Sequence, residues 1–198
     1  MLKIGITGGI GSGKTTVCKL FELLSIPVFY ADEVAKNIMY TDEKLKQNLI
    51  QRFSANAYDS KGQLNRRYIA DIVFNDAEEL KALNGLVHPA VFSAFDNWYR
   101  MQSGPYIIKE AALLFESESY KKCDYNILVS APNLLKLNRV MERDHVSAHE
   151  VELRMAKQFT DEQKQKLADF MLVNDESQLL IPQVLNLHKK LSAFITKP

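Results

Sequence analysis

The chain begins with MLKIGITGGIGSGKTT, residues 1–16. Leu2, Ile4 and Ile6 lie in a short, mostly apolar run that predicts a buried strand. A glycine-rich turn follows this run, and helical periodicity begins at Lys14. A strand, a glycine-rich loop and a helix in this order are typical of proteins that bind phosphate groups.

The loop matches the pattern G-x-x-x-x-G-K-[ST] at Gly8, Gly13, Lys14 and Thr15. Glycines allow successive backbone N–H groups to turn inward and form a concave nest for anions, and the start of the helix adds further N–H groups. We expect Lys14 to contact the β- and γ-phosphates of ATP and the Thr15 hydroxyl to ligate Mg²⁺. The residues expected to contact the nucleotide here are Gly11, Ser12, Gly13, Lys14, Thr15 and Thr16.

The composition is that of an ordinary globular protein. The 198 residues are 46% hydrophobic and 25% charged, which suits the core of one α/β domain. A net charge of +1 gives no sign of a nucleic-acid or membrane partner, and nothing implies an obligate protein partner. Cys18 and Cys123 have no paired spacing, and the first apolar run belongs to the predicted strand rather than to a signal peptide. We therefore expect a cytoplasmic protein with reduced thiols.

Four further apolar runs predict strands. They are Val28–Tyr30, Tyr106–Glu110, Tyr125–Ser130 and Phe170–Asn174. Continuous apolar runs suit strands that are covered on both faces, as the strands of parallel sheets are. With the first strand they predict an α/β protein built on a five-stranded parallel sheet.

Asp32 comes directly after the second predicted strand and Ala31. The carboxyl ends of parallel strands form the ligand-binding edge of such a sheet, and the glycine-rich loop lies at that same edge. Asp32 could therefore face the nucleotide as a catalytic carboxylate. It could equally be the N-cap of the helix that follows, a position that aspartate favours.

The region from residue 41 to residue 102 shows helical periodicity and no convincing strand. We predict that residues 33–103 form a helical insertion that binds substrate. Arg66 and Arg67 are its notable cations, and His88, which interrupts the helical pattern together with Pro89, is a further candidate. Each of these side chains could instead be an exposed or structural residue.

A charged helical hairpin follows the fourth predicted strand. Arg139 and Arg143 are four residues apart and share one face of the first helix, and the second helix is predicted to carry Arg154 and Gln158. This hairpin, residues 136–159, could be a solvated surface or a lid over the phosphates. A capping box at residues 160–163 then predicts a helix, and a closing helix after residue 175 is expected to be interrupted at Pro182. Residues 1–32, 104–135 and 160–198 would form the nucleotide-binding core.

The order of these motifs resembles that of the dephospho-coenzyme A kinase family. Thr7–Thr16 is similar to the phosphate loop of that family. Ala31-Asp32 resembles its D-A-D element, with Tyr30 in place of the first aspartate. Leu83-Asn84 with His88-Pro89 resembles its L-N-x-x-x-H-P motif.

The second half of the chain carries the resemblance further. Leu113–Glu116 is similar to the family's P-L-L-F-E motif, with Ala112 in place of proline. Ala168-Asp169 with Asn174 matches a closing A-D-x-x-x-x-N pattern. The lid pattern is matched by Arg139, Arg143-Asp144, Arg154 and Gln158.

The resemblance implies a fold similar to that of nucleoside monophosphate kinases, a three-layer P-loop fold with a helical coenzyme-binding domain and a lid. It implies that ATP phosphorylates the 3′-hydroxyl of dephospho-coenzyme A, the last step of coenzyme A synthesis. Asp32 would be the base, and Arg139 or Arg143 would be the lid arginine. The further binding residues implied are Asn174 for the nucleotide and Asp32, His88, Leu113 and Glu116 for the substrate. Arg66, from the helical insertion, is the other candidate substrate contact.

Two other functions remain as alternatives. One is a nucleoside or nucleoside monophosphate kinase of the same fold that acts on a smaller acceptor. The other is a regulatory GTPase, but the N-K-x-D motif for guanine does not follow a predicted strand, and the fourth strand is followed by Ala131-Pro132-Asn133.

Overall fold

The structure is a computed structural model, and it describes residues 1–194 with the exception of the Asn75 side chain. The described chain divides into two compact units. Met1–Tyr30 and the residues from Gln102 onward form a sheet unit, and Ala31–Met101 form a helical unit. The helical unit therefore begins two residues before the predicted insertion and includes Asp32.

The sheet unit contains five strands and five of the α-helices. The strands are β1 (Leu2–Thr7), β2 (Val28–Tyr30), β3 (Tyr106–Glu110), β4 (Tyr125–Ser130) and β5 (Phe170–Val173). The helices are α1 (Lys14–Leu23), α6 (Asn133–Asp144), α7 (Ala148–Met155), α8 (Asp161–Gln165) and α9 (Leu180–Ala193).

The five strands form one parallel sheet in the order β2-β3-β1-β4-β5. The central strand β1 pairs with β3 through Ile4 and Ile108 and with β4 through Ile6 and Ile127. The predicted α/β fold with a five-stranded parallel sheet is confirmed. Because all strands run in one direction, β1 delivers the glycine-rich loop to the carboxyl edge of the sheet.

Two layers cover the sheet. On one face α1 and α9 pack on the central strands, and the core there includes Val17, Phe21, Val184 and Leu187. The other face carries the chain after β3 and the short helix α8, which contacts β4. Both faces of the central strands are consequently buried, which explains the continuous apolar runs in the sequence.

The helical unit is built around one long helix. Its members are α2 (Ala31–Thr41), α3 (Glu43–Phe53), α4 (Arg66–Asn75) and α5 (Ala77–Arg100). The helix α5 packs against the other three and buries Val87, Val91 and Phe95. Asp76 caps α5 by accepting hydrogen bonds from the N–H groups of Glu78 and Glu79.

The predicted interruption at His88-Pro89 is wrong, because Pro89 lies inside the continuous helix α5. Proline removes one helical hydrogen bond and crowds the carbonyl group four residues earlier. That earlier residue is Gly85, and glycine tolerates backbone adjustment more readily than other residues. Buried residues on both sides of Pro89, Val87 before it and Val91 and Phe95 after it, anchor both halves of the helix.

Two further helix boundaries differ from the prediction. Pro182 does not interrupt the closing helix but lies in the first turn of α9, where its missing N–H has no helical partner to lose. The helix α7 ends at Met155, so Gln158 lies in the turn after it rather than on the helix. The capping box of Thr160 and Gln163 is present as predicted. Within residues 1–194, none of the helices is long and apolar enough to cross a membrane.

Candidate active site

The glycine-rich loop joins β1 to α1 and depends on two glycines with positive φ. Gly11 has φ 79° and Gly13 has φ 93°, values that side chains with a Cβ rarely adopt. A Cβ on Gly11 would collide with the Lys136 carbonyl oxygen, and a Cβ on Gly13 would collide with the Asn174 amide. The glycines of the motif are therefore required by backbone conformation and by the close approach of α6 and β5.

Lys14 and Thr15 open α1 at the end of this loop. The Lys14 Nζ donates to the Gly8 carbonyl oxygen at 3.0 Å and lies 3.5 Å from that of Gly9. Thr15 and Thr16 are exposed in the first turn of the helix. The loop thus brings an ammonium group, two hydroxyl groups and the positive end of the helix dipole to one place, which suits a bound anion.

Asn174 and Arg139 connect other elements to the loop. The Asn174 side chain donates to the Ser12 carbonyl oxygen at 2.8 Å. The Arg139 Nη1 donates to the Asn174 carbonyl oxygen at 3.2 Å and lies 3.5 Å from the Gly11 carbonyl oxygen. Its Nη2 pairs with Glu176 at 3.0 Å. The end of β5 and the middle of α6 are therefore both attached to the loop backbone.

Arg143 has a different environment from Arg139. Its guanidinium group pairs with Asp144 at 2.7 Å, and Arg154 of α7 pairs with the same carboxylate at 2.9 Å. Hydrogen bonds from Arg143 and Arg154 hold the pKa of Asp144 below its usual range. The Arg143 side chain is 62% exposed, against 26% for Arg139. The structure therefore brings Arg139, but not Arg143, to the loop.

Gln158 is a third contact between the loop and the chain after α7. Its Oε1 accepts from the Ile10 N–H at 2.8 Å, and its Nε2 donates to the Ala112 carbonyl oxygen at 3.3 Å. The Thr7 hydroxyl donates to the same carbonyl oxygen at 3.3 Å. The lid pattern in the sequence included Gln158, but periodicity gave no indication of this contact.

Two buried lysine pairs lie behind the loop, and sequence reasoning missed both lysines. Lys136 Nζ is 3.0 Å from Asp161, and Lys164 Nζ is 3.2 Å from Glu116. Burial lowers the pKa of Lys164, an effect that the Glu116 carboxylate opposes. Glu116, a predicted substrate-binding residue, also accepts from the Phe159 N–H at 2.7 Å. Its carboxylate thus has partners within the sheet unit, and its role in binding stays a prediction.

A cavity of about 690 Å³ opens beside the loop in the sheet unit. Its lining includes the apolar side chains of Leu128 and Met171 and the aromatic ring of Phe159. Lys136 and Asp161 line it as a charged pair. Polar and charged residues make up about half of the lining, so the cavity offers hydrogen-bonding groups together with apolar surface.

The predicted site residues of the helical unit lie on its helices. Asp32 is exposed in the first turn of α2, one residue after the helix begins, and is therefore not its N-cap. Arg66 is exposed at the start of α4, where its Nε donates to the Tyr40 hydroxyl at 3.2 Å. His88 is half-buried in α5, with its ring 6.2 Å from that of Phe92.

Two other predictions concern the sheet unit. Leu113, after β3, is 44% exposed and so available for contact. Cys18 and Cys123 are free cysteines, and burial raises the pKa of both thiols, that of Cys123 to about 11. Within residues 1–194, no group of three or more His, Cys, Asp or Glu side chains is arranged to hold a metal ion.

Comparisons with known proteins agree with this geometry. A family model described as dephospho-CoA kinase matches residues 2–179. The dephospho-CoA kinase of Salinibacter ruber is 40% identical over 178 residues, which cover 88% of this chain and 89% of that protein.

Solved structures are similar over nearly the whole chain. The crystal structure of TT1252 from Thermus thermophilus is 33% identical, with a TM-score of 0.82 over 99% of this chain and 98% of that one. The dephospho-CoA kinase from Campylobacter jejuni is 25% identical, with a TM-score of 0.70 over 97% of this chain and 98% of that one.

Proposed function

Because the chain belongs to the dephospho-CoA kinase family, we propose that it transfers the γ-phosphoryl group of ATP to the 3′-hydroxyl of dephospho-CoA. The products are CoA and ADP, and the reaction completes CoA synthesis. The observation that carries this proposal is the family match over residues 2–179, within which the glycine-rich loop is intact. A cytoplasmic location belongs to the same proposal, and the two free cysteines, Cys18 and Cys123, support it.

The loop and α1 hold the ATP phosphates in this proposal. Backbone N–H groups from Gly11 to Thr16 surround the β-phosphate, and Lys14 neutralises charge on the β- and γ-phosphates. In the structure Lys14 donates to carbonyl groups of the loop. ATP binding would replace these neutral acceptors with charged phosphate oxygens, which form stronger hydrogen bonds with an ammonium group. Arg139 is proposed as the lid arginine, since it already lies on the loop backbone while Arg143 is paired with Asp144.

Mg²⁺ is proposed as the metal that accompanies ATP. An oxygen donor is present where the family pattern requires one, because the exposed Thr15 hydroxyl follows Lys14 in the first turn of α1. Mg²⁺ commonly takes few protein ligands and completes its shell with phosphate oxygens and water, so one hydroxyl fits this role. When bound, the ion neutralises charge that develops on the transferring phosphate.

The acceptor is activated by Asp32 in this proposal. Asp32 follows β2 by two residues, and β2 ends at the same carboxyl edge of the sheet as the loop. Its carboxylate accepts the proton of the 3′-hydroxyl as the new oxygen–phosphorus bond forms. The bond between the γ-phosphorus and the β–γ bridging oxygen breaks, and ADP leaves. Because phosphoryl transfer has a loose transition state, Asp32 contributes by positioning the hydroxyl as well as by accepting its proton.

Recognition of the coenzyme is assigned to the helical unit, with Arg66 as a candidate anion contact and His88 as a second polar contact. The unit of about 70 residues is larger than a simple nucleoside acceptor needs. Leu113 and Glu116 of the sheet unit are the remaining proposed substrate contacts.

An acceptor panel tests the proposed function. The purified protein would be given MgATP and, separately, dephospho-CoA, adenosine, other nucleosides and nucleoside monophosphates, with ADP formation as the readout. We expect kcat/KM for dephospho-CoA to exceed that for every smaller acceptor by at least about 10²-fold. Comparable kcat/KM for adenosine would contradict the proposal and favour a nucleoside kinase.

A further inference from the structure

Gln158 lies where the α6–α7 hairpin rejoins the rest of the sheet unit. It is half-buried in the turn between α7 and α8, and its own N–H donates to the Met155 carbonyl oxygen at 3.0 Å. The side chain leaves this turn toward the glycine-rich loop. It is therefore a direct link between the end of the hairpin and the proposed ATP site.

The Gln158 amide is suited to both of its partners. The Ile10 N–H is a donor and requires the amide oxygen, whereas the Ala112 carbonyl oxygen is an acceptor and requires the amide N–H₂. A carboxylate could satisfy only the first partner, and an apolar side chain of the same length could satisfy neither. The chemistry of the contact thus selects glutamine.

The turn that carries Gln158 is anchored independently of the loop. The N–H of the next residue, Phe159, donates to the Glu116 carboxylate at 2.7 Å, and Lys164, which is fully buried, pairs with the same carboxylate. The amide of Gln158 is therefore presented from a rigid base. A hydrogen bond from such a base restricts the group that it contacts.

The loop has much conformational freedom to lose. Gly8, Gly9, Gly11 and Gly13 lie within six residues, and glycine loses more backbone entropy on ordering than any other residue. Ile10 is at the centre of this run, directly before Gly11 and its positive φ. Restricting Ile10 before ligand binding reduces the ordering that ATP must cause, and such preorganisation increases affinity.

We propose that Gln158 is a positioning residue that preorganises the glycine-rich loop for ATP and links it to the segment after β3. It acts through Ile10 and Ala112 and does not touch the reacting atoms. The inference rests on the proposed function only in taking ATP as the ligand of the loop. Its direct consequence is that Gln158 increases the affinity for ATP even when no phosphoryl acceptor is present.

Calorimetric titration with MgATP, without acceptor, tests this role in two matched variants. Gln158→Met removes both hydrogen bonds, and Gln163→Met removes a comparable one, from the Thr160 N–H to Gln163 at 2.8 Å, in the same segment. We expect ATP to bind about fivefold more weakly to Gln158→Met and within about twofold of wild type to Gln163→Met. Wild-type affinity in Gln158→Met would overturn the proposal. Equal losses in both variants would also overturn it, because they would indicate a general loosening of the segment.

Gln158→Glu keeps the proposal testable if Gln158→Met does not fold. The carboxylate can still accept from Ile10 but cannot donate to Ala112, and it adds a negative charge beside a site for an anion. We expect ATP affinity to fall by about tenfold or more and the loss to shrink as salt screens the charge. Affinity equal to wild type at low salt would overturn the proposal. Because no acceptor is present, a failure to phosphorylate dephospho-CoA would contradict the proposed function without changing this result.

Discussion

The sheet unit and the helical unit hold their candidate site residues in different ways. In the sheet unit, Lys14, Arg139 and Asn174 already contact backbone carbonyl groups of the glycine-rich loop within 3.5 Å. In the helical unit, Asp32 and Arg66 are exposed on the first turns of their helices. The candidate nucleotide-binding residues of the sheet unit are thus held by contacts between chain segments, whereas the two candidate acceptor residues of the helical unit are exposed on helix surfaces.

Because of this difference, substitutions in the two units should affect different steps of the reaction. A variant of a sheet-unit side chain that contacts the loop should change ATP binding or the transfer of the phosphoryl group. A variant on the surface of the helical unit should change the acceptor steps and leave ATP binding intact.

The largest effect is expected for Lys14→Ala. Removing this ammonium group should lower kcat on the order of 10²-fold or more, since it removes a charge that stabilises the transition state. Steady-state kinetics at saturating ATP and dephospho-CoA would measure the loss, and thermal unfolding would check the fold. Near-normal turnover would mean that the loop is not the catalytic phosphate site, and it would contradict the role assigned to the sheet unit.

Asp32→Asn tests the residue of the helical unit that is proposed to accept the proton of the 3′-hydroxyl. The amide keeps the size of the side chain but cannot accept the proton, so we expect kcat to fall by about 10²-fold with ATP affinity largely intact. Kinetics and calorimetric titration with MgATP would measure the two quantities. If Asp32 only stabilises the first turn of α2, both kcat and ATP affinity stay near wild type, and the catalytic assignment ends.

Arg139→Ala and Arg143→Ala test whether contact with the loop decides which arginine of the α6–α7 hairpin is needed for transfer. We expect kcat to fall at least about tenfold for Arg139→Ala, which loses a charged donor at the loop, and to stay within about twofold for Arg143→Ala. Initial rates at saturating substrates would separate them. A larger effect at Arg143 would mean that the hairpin rearranges before transfer and brings the other arginine to the phosphates.

The sequence predicted the sheet unit well because its signals are local. The continuous apolar runs and the G-x-x-x-x-G-K-[ST] pattern gave the parallel sheet and the position of the loop without any knowledge of contacts. The predicted helix interruption at Pro89 was wrong because packing on both sides of this residue outweighs one lost helical hydrogen bond. Local signals therefore failed where tertiary packing determines the result.

The rest of the candidate site depends on contacts between distant residues. Gln158 contacts Ile10 across 148 positions of the chain, and no periodicity indicates such a pair. Lys136 and Lys164 also gave no signal, because a lysine on a helix is ordinarily exposed. Burial of both is possible only because carboxylates from other segments lie beside them.

Among the variants expected to change activity, Arg66→Ala in the helical unit should have the smallest effect. If Arg66 contacts an anionic group of the coenzyme, its loss should raise KM for dephospho-CoA about fivefold and leave KM for ATP unchanged. Lys44→Ala, which removes an exposed cation from α3, is the matched control and should leave both values within about twofold. A rise in KM for ATP in Arg66→Ala would contradict the assignment of ATP binding to the sheet unit and of acceptor binding to the helical unit.

The most direct test of the whole account is the position of the new phosphate. The protein would be incubated with MgATP and dephospho-CoA, and the product would be analysed by ³¹P nuclear magnetic resonance and mass spectrometry. The account predicts one added phosphate, bound as a monoester at the ribose 3′-oxygen, with one ADP formed for each product molecule. A phosphate at another oxygen, or ADP formed without a phosphorylated coenzyme, would contradict it.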